Sequence, residues 1–255
     1  MQNKSLGQHW LKDRLILEAI ADCADLQPTD TVLEIGPGLG TLTSVLLGRA
    51  ERVIAVEFDE TLASKLSGQF PGKQLTVYNQ DILTFNTDKL PHVYKVVANV
   101  PYYITSKIVQ RFSTCTNMPE SMTLLVQKEV AERIVAEPGD MSILAVSAQL
   151  YWEVSLGPIV GAEWFTPPPK VDSRVVMLKR REQPLVDPAK QKVFFRVVKA
   201  GFSERRKKLR SALAGGLAME KTDIDTLLAR AKVSPEARAQ ELSIEQWQRL
   251  AEALA

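Results

Sequence analysis

The chain has 255 residues, of which 45% are hydrophobic and 24% charged, and its formal net charge is +2 at pH 7. These values are those of an ordinary soluble globular protein with one large or two small domains. No apolar run reaches the roughly 18 residues that a membrane-spanning helix needs, and the N-terminus lacks a signal-peptide apolar segment. The two cysteines, Cys23 and Cys115, and the two histidines, His9 and His92, are too dispersed for a zinc site. We therefore expect a cytoplasmic protein with plain thiols, no metal and no membrane partner.

The charge is unevenly distributed along the chain. Residues 180–255 hold 16 Lys and Arg against 10 Asp and Glu, a net +6, whereas residues 1–179 carry a net −4. Pro184 and Pro188 mark a linker just after this change of composition. The sequence thus predicts an α/β domain over residues 1–181 and a small, basic, all-α domain over 182–255 that faces a polyanion.

The first half of the chain alternates helical periodicity with short apolar runs that are typical of buried strands. The predicted elements, in order, are a helix over 13–25, a strand over 31–35, a helix over 41–47, a strand over 52–57, a helix over 62–70, strands over 74–78 and 96–98, a helix over 104–112 and a strand over 122–126. This alternation predicts a Rossmann-like, mostly parallel sheet.

The second half adds two strands and then turns helical. A helix is predicted over 128–136, and strands over 147–154 and 175–178 are expected to pair at one edge, which makes seven strands with an antiparallel edge strand. Helices over 189–200 and 223–231 follow, and Gly215-Gly216 is expected to break the chain between them. Ser243 and Gln246 form a capping-box signature that starts a final helix.

A glycine loop joins the first predicted strand to the next helix. Gly36, Gly38 and Gly40 are spaced G-x-G-x-G, unlike the G-x-G-x-x-G of dinucleotide sites, and Glu34 lies two residues ahead of them. Glycines here let the backbone approach a ligand where a Cβ would clash. Glu57 closes the next strand, where a carboxylate can accept hydrogen bonds from ribose hydroxyls. The pattern looks like the S-adenosylmethionine loop of Rossmann-like methyltransferases, although a tight structural turn is the alternative.

Polar residues also follow the third and fourth predicted strands. Asp81 could accept a hydrogen bond from an adenine amino group, or it could simply make an Asx turn. Asn99-Val100-Pro101-Tyr102 combines an amide acceptor, a stiff proline and an aromatic face, which suits a flat ring that bears an amine. On these residues alone, an ordinary turn that covers the core is an equal alternative.

Two later segments complete the set of candidate residues. Three prolines follow Phe165 and stiffen the segment that presents it, so Phe165 is either exposed at a fixed position or buried under a crossover loop. In the basic domain, a dense cationic run is expected to bind RNA phosphates, the alternative being a solvated helix face. Its members are Arg205, Arg206, Lys207, Lys208 and Arg210.

With these motifs in place, the chain resembles the ribosomal RNA adenine N6,N6-dimethyltransferase family, and most closely its bacterial small-subunit branch. The resemblance covers nearly the whole chain; it is carried by residues 4–11, the Glu34–Gly40 loop, Asn99–Tyr102, 127–133, 165–173, 202–207 and 241–243. It departs from the family at His9-Trp10, where Asn-Phe is usual, and in a shorter loop over residues 137–141.

The resemblance implies an enzyme that methylates N6 of two adjacent adenosines near the 3′ end of small-subunit (16S) rRNA. Asn99 and the backbone near Pro101 would receive the amino group, while Tyr102 and Phe165 would clamp the base. The implied contacts to S-adenosylmethionine are at His9, Leu11, Gly36, Glu57, Asp81 and Asn99.

Its expected partners are small-subunit rRNA and the assembling 30S-type subunit, with the chain acting as a monomer. The alternatives are a large-subunit rRNA adenine methyltransferase of the antibiotic-resistance type, a DNA adenine methyltransferase, and a non-catalytic assembly or transcription factor on the same fold. The stretch over 202–207 and the helix over 127–133 match the small-subunit branch better than the large-subunit one.

Overall fold

The computed structural model describes residues 9–204 and 206–254, which fall into two compact units. The first unit comprises the described residues up to Glu132 together with Glu153–Arg180, and the second comprises Arg133–Trp152 and the chain from Arg181 onward. The second unit thus joins residues 133–152 to the chain after residue 180. Within it, the Arg181 N–H donates to the Tyr151 carbonyl over 3.0 Å.

A seven-stranded sheet forms the frame of the first unit, in the order β4-β3-β2-β5-β6-β9-β7. Its first five strands are parallel, and β9 runs antiparallel to β6, so the predicted Rossmann-like α/β fold is confirmed. A separate short pair joins β1 to β8. The strands are β1 (Trp10–Leu11), β2 (Thr31–Ile35), β3 (Arg52–Glu57), β4 (Leu75–Asn79), β5 (Lys95–Asn99), β6 (Ser121–Gln127), β7 (Trp152–Val160), β8 (Phe165–Thr166) and β9 (Ser173–Arg180).

Helices follow the strands in the first unit and make up most of the second. The helices are α1 (Arg14–Asp22), α2 (Thr41–Leu46), α3 (Glu60–Ser67), α4 (Thr105–Thr114), α5 (Lys128–Ile134), α6 (Ile143–Gln149), α7 (Gln191–Gly201), α8 (Leu209–Leu217), α9 (Lys221–Ala231) and α10 (Ile244–Leu254). The predicted capping box forms at α10, where Ser243 and Gln246 exchange backbone-to-side-chain hydrogen bonds of 2.9 and 3.3 Å.

The strand predicted over residues 147–154 is wrong at its start. Residues up to Gln149 belong to α6, and β7 begins at Trp152. Ser142 caps this helix by accepting a hydrogen bond of 3.2 Å from the Ala145 N–H. Ala148, Leu150, Tyr151 and Trp152 are apolar and buried across this boundary, so a short window merges the two elements into one apolar run.

The predicted chain break at Gly215-Gly216 is also wrong, because both glycines lie within α8. A Cβ added at Gly216 would stand 2.6 Å from the Cα and Cβ of Ala200 in α7. The glycine therefore permits a close approach of two helix backbones instead of ending a helix. By contrast, the nearest atom to a Cβ at Gly215 is a flexible Glu204 oxygen at 3.8 Å.

These neighbouring glycines are expected to respond oppositely to alanine. Gly216→Ala should lower the free energy of unfolding by about 1–3 kcal/mol, because the α7 backbone has to move away from the new methyl group. Gly215→Ala should raise it by up to about 1 kcal/mol, because alanine is the better helix former and the site is open. Denaturant unfolding of the two variants tests this pair, and equal shifts would contradict the close α7–α8 packing.

The parallel strands direct the site residues to one edge of the sheet. Strands β2, β3 and β5 are neighbours, and each ends in residues singled out from the sequence: Glu34 and the glycine loop, Glu57, and Asn99. Ligands of open α/β sheets bind at the carboxyl ends of such strands. Among the described residues, no helix is long and apolar enough to cross a membrane.

Candidate functional site

A cavity of about 260 Å³ lies at the carboxyl ends of β2, β3 and β5. This volume is near the lower end of the roughly 300–1,000 Å³ that is usual for small-molecule sites. Nearly all the predicted cofactor and catalytic residues line it together: His9, Leu11, Gly36, Gly38, Glu57, Asp81, Asn99, Pro101 and Tyr102.

The glycine loop forms the floor of the cavity and depends on left-handed backbone. Gly36, Gly38 and Gly40 have φ angles of +64°, +57° and +77°, which L side chains rarely adopt. A Cβ at Gly38 would also collide with the ring of Trp10. Any side chain at position 38 would therefore both strain the loop and displace the N-terminal segment that covers it.

Glu57 is 6% exposed and holds this loop in place. The Gly38 N–H donates to its Oε2 over 3.0 Å, and the Asp59 N–H donates to its Oε1 over 2.9 Å. Burial raises the pKa of Glu57, while the N–H groups of Asp59 and Gly38 oppose that rise. Each carboxylate oxygen keeps a second lone pair, so the group can still accept hydrogen bonds from a ligand hydroxyl.

Glu34 lies at the base of the same loop and is 1% exposed. Burial raises the pKa of Glu34 to about 8, and the charge of Glu57 adds to the rise, while hydrogen bonding to Thr43 opposes it. Its Oε2 has no hydrogen-bond partner among the described residues, although Glu34 lines the cavity. Buried polar atoms nearly always have a hydrogen-bond partner, so this oxygen is an exception at the base of the loop.

The Asx turn predicted at Asp81 is confirmed. Its Oδ1 accepts a hydrogen bond of 2.8 Å from the Leu83 N–H, which is the Asx turn. The side chain also lines the cavity, and its Oδ2 accepts no hydrogen bond from another described residue. The turn therefore holds the carboxylate at the cavity wall and leaves one oxygen available for an amine.

Asn99 ends β5 opposite Leu125 of β6, with its side chain half-buried at the cavity. Its side-chain amide makes no hydrogen bond to another described residue, so its oxygen is free to accept. The Pro101 carbonyl already accepts a bond of 3.2 Å from the Ile104 N–H and keeps its second lone pair. Two acceptors thus stand close together in the sequence on one wall of the cavity.

Tyr102 is fixed at both its hydroxyl and its ring. Its Oη shares a hydrogen bond of 2.7 Å with the Ser173 Oγ. Burial raises the pKa of Tyr102, while that hydrogen bond opposes the rise. The His9 ring is stacked on it, with centroids 5.9 Å apart and planes at 22°. His9 is in turn anchored, because its Nδ1–H donates to the Pro167 carbonyl over 2.7 Å.

Phe165 does not occupy the position predicted for it. It is 3% exposed, belongs to the hydrophobic core, and is absent from the described cavity lining. Its strand β8 pairs with β1, which sets Phe165 opposite Leu11 and Thr166 opposite Trp10. This pairing directs the aromatic ring into the core, so the ring that faces Tyr102 in this structure is that of His9.

Sequence reasoning missed several residues that line the cavity. Phe58 is 62% exposed and Tyr103 is 63% exposed, although large aromatic side chains are usually buried. Lys107 is exposed one turn further along, in α4. Two of these residues could have been found from their positions in the sequence, because Phe58 directly follows Glu57 and Tyr103 directly follows Tyr102.

The cationic run of the second unit is largely neutralised by its own neighbours. Lys207 pairs with Glu204 at 2.5 Å, Lys208 pairs with Glu236, and Arg210 makes two 2.5 Å bonds to Asp225. The Asp225 hydrogen bonds raise the pKa of Arg210 further. Arg206 is exposed, and Arg205 lies outside the described residues.

A second set of cations stands on α7. Lys192, Arg196 and Lys199 are exposed and follow one another at intervals of four and three residues, which places them on one helix face. None of them forms an ion pair with another described residue. This face, the α7 stripe, is open to an external anion.

Comparison with known proteins identifies the family of this chain and several similar proteins. The family model described as "Ribosomal RNA adenine dimethylase" matches residues 1–255. The "Ribosomal RNA small subunit methyltransferase A" of Dehalococcoides mccartyi (strain CBDB1) is 44% identical over 251 residues, which cover 97% of this chain and 86% of that protein. The protein of the same name from Desulfitobacterium hafniense (strain Y51) is 42% identical over 99% of this chain and 92% of its own length.

Two solved structures resemble the whole chain. The dimethyladenosine transferase from Plasmodium falciparum superposes with a TM-score of 0.79 at 28% identity, covering 95% of this chain and 96% of that one. The 23S rRNA methyltransferase ErmE superposes with a TM-score of 0.77 at 32% identity, covering 96% of this chain and 99% of that one.

Proposed function

Since the chain belongs to the ribosomal RNA adenine dimethylase family, we propose that it methylates N6 of two adjacent adenosines near the 3′ end of small-subunit rRNA. It is an S-adenosylmethionine-dependent rRNA adenine dimethyltransferase. The observation that carries the assignment of the site is that the Asn99–Tyr102 segment and the Gly36–Gly40 loop with Glu57 line one cavity. A methyl donor and an amine acceptor would therefore meet there.

The residues at the strand ends fit S-adenosylmethionine. The left-handed turn brings the backbone of Gly36 and Gly38 to the cavity wall, and the Glu57 carboxylate has lone pairs for ribose hydroxyls. The free oxygen of Asp81 suits an adenine amino group, with the exposed ring of Phe58 beside Glu57 as a stacking surface. When bound, this cofactor supplies an electrophilic methyl group.

Asn99 orients the target amino group. The adenine amine is a poor nucleophile because its lone pair is delocalised into the ring. The Asn99 amide oxygen and the Pro101 carbonyl would accept its two N–H groups, which favours a pyramidal nitrogen with its lone pair turned away from them. Orientation of this kind supplies much of the catalysis in a site without a covalent nucleophile.

Tyr102 provides the stacking face for the base. Its hydrogen bond to Ser173 holds the ring in one orientation, and base–aromatic stacking contributes about 1–3 kcal/mol. The centroid of the His9 ring lies 5.9 Å from the centroid of the Tyr102 ring. A base between the two rings would need them about 7 Å apart, which is two contact distances. Adenine would therefore displace the His9 ring slightly or replace it on Tyr102.

A large-subunit substrate is the second candidate, and the likeness to ErmE is the observation that favours it. Identity separates the two: it is 44% to the small-subunit methyltransferase of Dehalococcoides mccartyi and 32% to ErmE. We therefore assign the small subunit as the substrate. We also propose that the chain acts as a cytoplasmic monomer on an assembling subunit.

Labelled S-adenosylmethionine, offered together with unmethylated small subunits and unmethylated large subunits, tests this assignment directly. The label should appear on N6 of two adjacent adenosines of the small-subunit rRNA, mapped by mass spectrometry of rRNA fragments. Labelling of large-subunit rRNA alone would contradict the assignment, and cofactor binding without any methyl transfer would favour a non-catalytic assembly factor.

The second unit supports RNA binding through its cations, from the predicted run and from the α7 stripe. Free cations bind phosphate without first breaking an ion pair, so the α7 stripe should contribute more than Lys207, Lys208 and Arg210.

Replacing Lys192, Arg196 and Lys199 together by glutamine should weaken binding to small-subunit rRNA and make it less dependent on salt. Three lost phosphate contacts correspond to a slope of log K against log salt that is shallower by about 2–3. The measurement is a salt titration of RNA binding by fluorescence anisotropy. Glutamine at Lys207, Lys208 and Arg210 is the matched triple control, and an equal or larger change there would contradict the α7 stripe.

A further inference from the structure

Tyr103 has an unusual environment for a tyrosine beside a binding cavity. It follows Tyr102 in a short 3-10 turn, lines the cavity, and is 63% exposed. No hydrogen bond to its hydroxyl and no ring stacked on it is present among the described residues. An aromatic ring held in the open on a turn of this kind is a ready stacking surface.

Lys107 is a second exposed residue that lines the cavity. It is four residues further along the chain, in the first turn of α4, and it is exposed and lines the same cavity. It forms no ion pair with a described residue, and it is the only lysine or arginine among the described cavity-lining residues. The acidic side chains that line the cavity are Glu34, Glu57 and Asp81. A phosphate that approaches this cavity would therefore be held at Lys107.

We infer that Tyr103 and Lys107 hold the nucleotide next to the target adenosine, with its base stacked on Tyr103 and its phosphate paired with Lys107. This inference rests on the proposed function, in which the two modified adenosines are adjacent. While one adenine lies against Tyr102 and Asn99, its neighbour has to lie outside the pocket on the same strand. Successive bases of a single strand can stack on separate aromatic side chains, and Tyr102 and Tyr103 both line this cavity.

This arrangement also accounts for selection of a single-stranded, extruded target. Stacking is tolerant of base identity, so Tyr103 would accept an adenine or a dimethyladenine equally well. The outer position would then hold the neighbouring nucleotide both before and after that nucleotide is methylated. Extruding two bases costs stacking energy in the RNA, and an aromatic surface outside the pocket recovers part of it.

Steady-state methylation of unmethylated small subunits tests the two residues. Tyr103→Ala should lower kcat/KM for subunits by about 5- to 100-fold, and Tyr103→Phe should restore it because the ring remains. Lys107→Gln should lower kcat/KM and make the slope of its logarithm against log salt shallower by about 0.7–0.9, as expected for one phosphate contact. The cofactor Kd from calorimetry should stay unchanged in all three variants.

Matched controls are Trp164→Ala, an aromatic that is 49% exposed away from the cavity, and Lys65→Ala on α3.

A double-mutant cycle with the substrate decides whether Tyr103 contacts the neighbouring base. Subunits are assembled from rRNA with an abasic site next to the remaining target adenosine. The abasic site should lower kcat/KM for the wild type by a factor similar to that of Tyr103→Ala, and it should cost the Tyr103→Ala variant almost nothing further. The inference would be overturned if the abasic site and Tyr103→Ala lowered kcat/KM by independent factors that multiply. It would also be overturned if Lys107→Gln weakened cofactor binding instead, because that would place the cofactor carboxylate at Lys107. Failure of the proposed function is distinct, because the wild type would then leave intact subunits unmodified.

Discussion

Asn99→Ala is expected to lower kcat for methyl transfer by at least about 100- to 1,000-fold, the cost of removing one preorganised group that acts in the transition state. The Asn99 amide is at the end of β5, lines the cavity and has no internal hydrogen bond, so alanine removes an acceptor from the ligand and none from the fold. The measurement is single-turnover methylation of unmethylated small subunits at saturating cofactor.

Two controls make the Asn99 result interpretable. The melting temperature and the cofactor Kd should change little, because the neighbouring strand pairing uses backbone groups and Glu57 still binds the ribose. Asn99→Asp keeps an acceptor oxygen and should retain more activity than alanine. Near-normal turnover by Asn99→Ala would contradict the proposed orientation of the amino group.

Glu57→Ala is expected to weaken S-adenosylmethionine binding by at least about 100-fold, because two charge-assisted hydrogen bonds to ribose hydroxyls are lost at about 1.5–3 kcal/mol each. The same change removes the acceptor for the Gly38 and Asp59 N–H groups, so the glycine loop should loosen and the free energy of unfolding should fall by about 1–3 kcal/mol. Isothermal titration calorimetry measures the affinity and denaturant unfolding measures the stability.

The kinetic pattern separates Glu57 from Asn99. A cofactor-binding residue that is uninvolved in the methyl transfer should raise KM for the cofactor and leave kcat at saturation nearly intact. Glu60→Ala is the matched control, since this glutamate is exposed in the first turn of α3 and does not line the cavity. Unchanged cofactor affinity in Glu57→Ala would place the ribose elsewhere.

The glycine loop shows why part of this site can be predicted from sequence. Gly36, Gly38 and Gly40 need left-handed backbone, and that need is local to one turn between a strand and a helix. Glu57 follows from the same reasoning, because adjacent parallel strands end at one edge of the sheet. Local rules of this kind also predicted the Ser243 capping box correctly.

Tertiary packing decided the remainder. His9 meets Pro167 across 158 positions of sequence, and Tyr102 meets Ser173 across 71. No periodicity or motif reports such contacts, because they depend on which strands pair; the β1–β8 pairing buries Phe165 in this way.

Charge pairing and the roles of the glycines also divide into a part that the local sequence predicts and a part that depends on tertiary contacts. The sequence by itself determined the alternating α/β order, the left-handed loop and the excess of positive charge after residue 180, because each follows from residue type and short spacing. Only the tertiary structure decided that Lys208 is paired with Glu236 and Arg210 with Asp225 while the α7 stripe is free, and that Gly216 packs against Ala200. Charge pairing and close backbone approach depend on distances between segments, and only folding sets those distances.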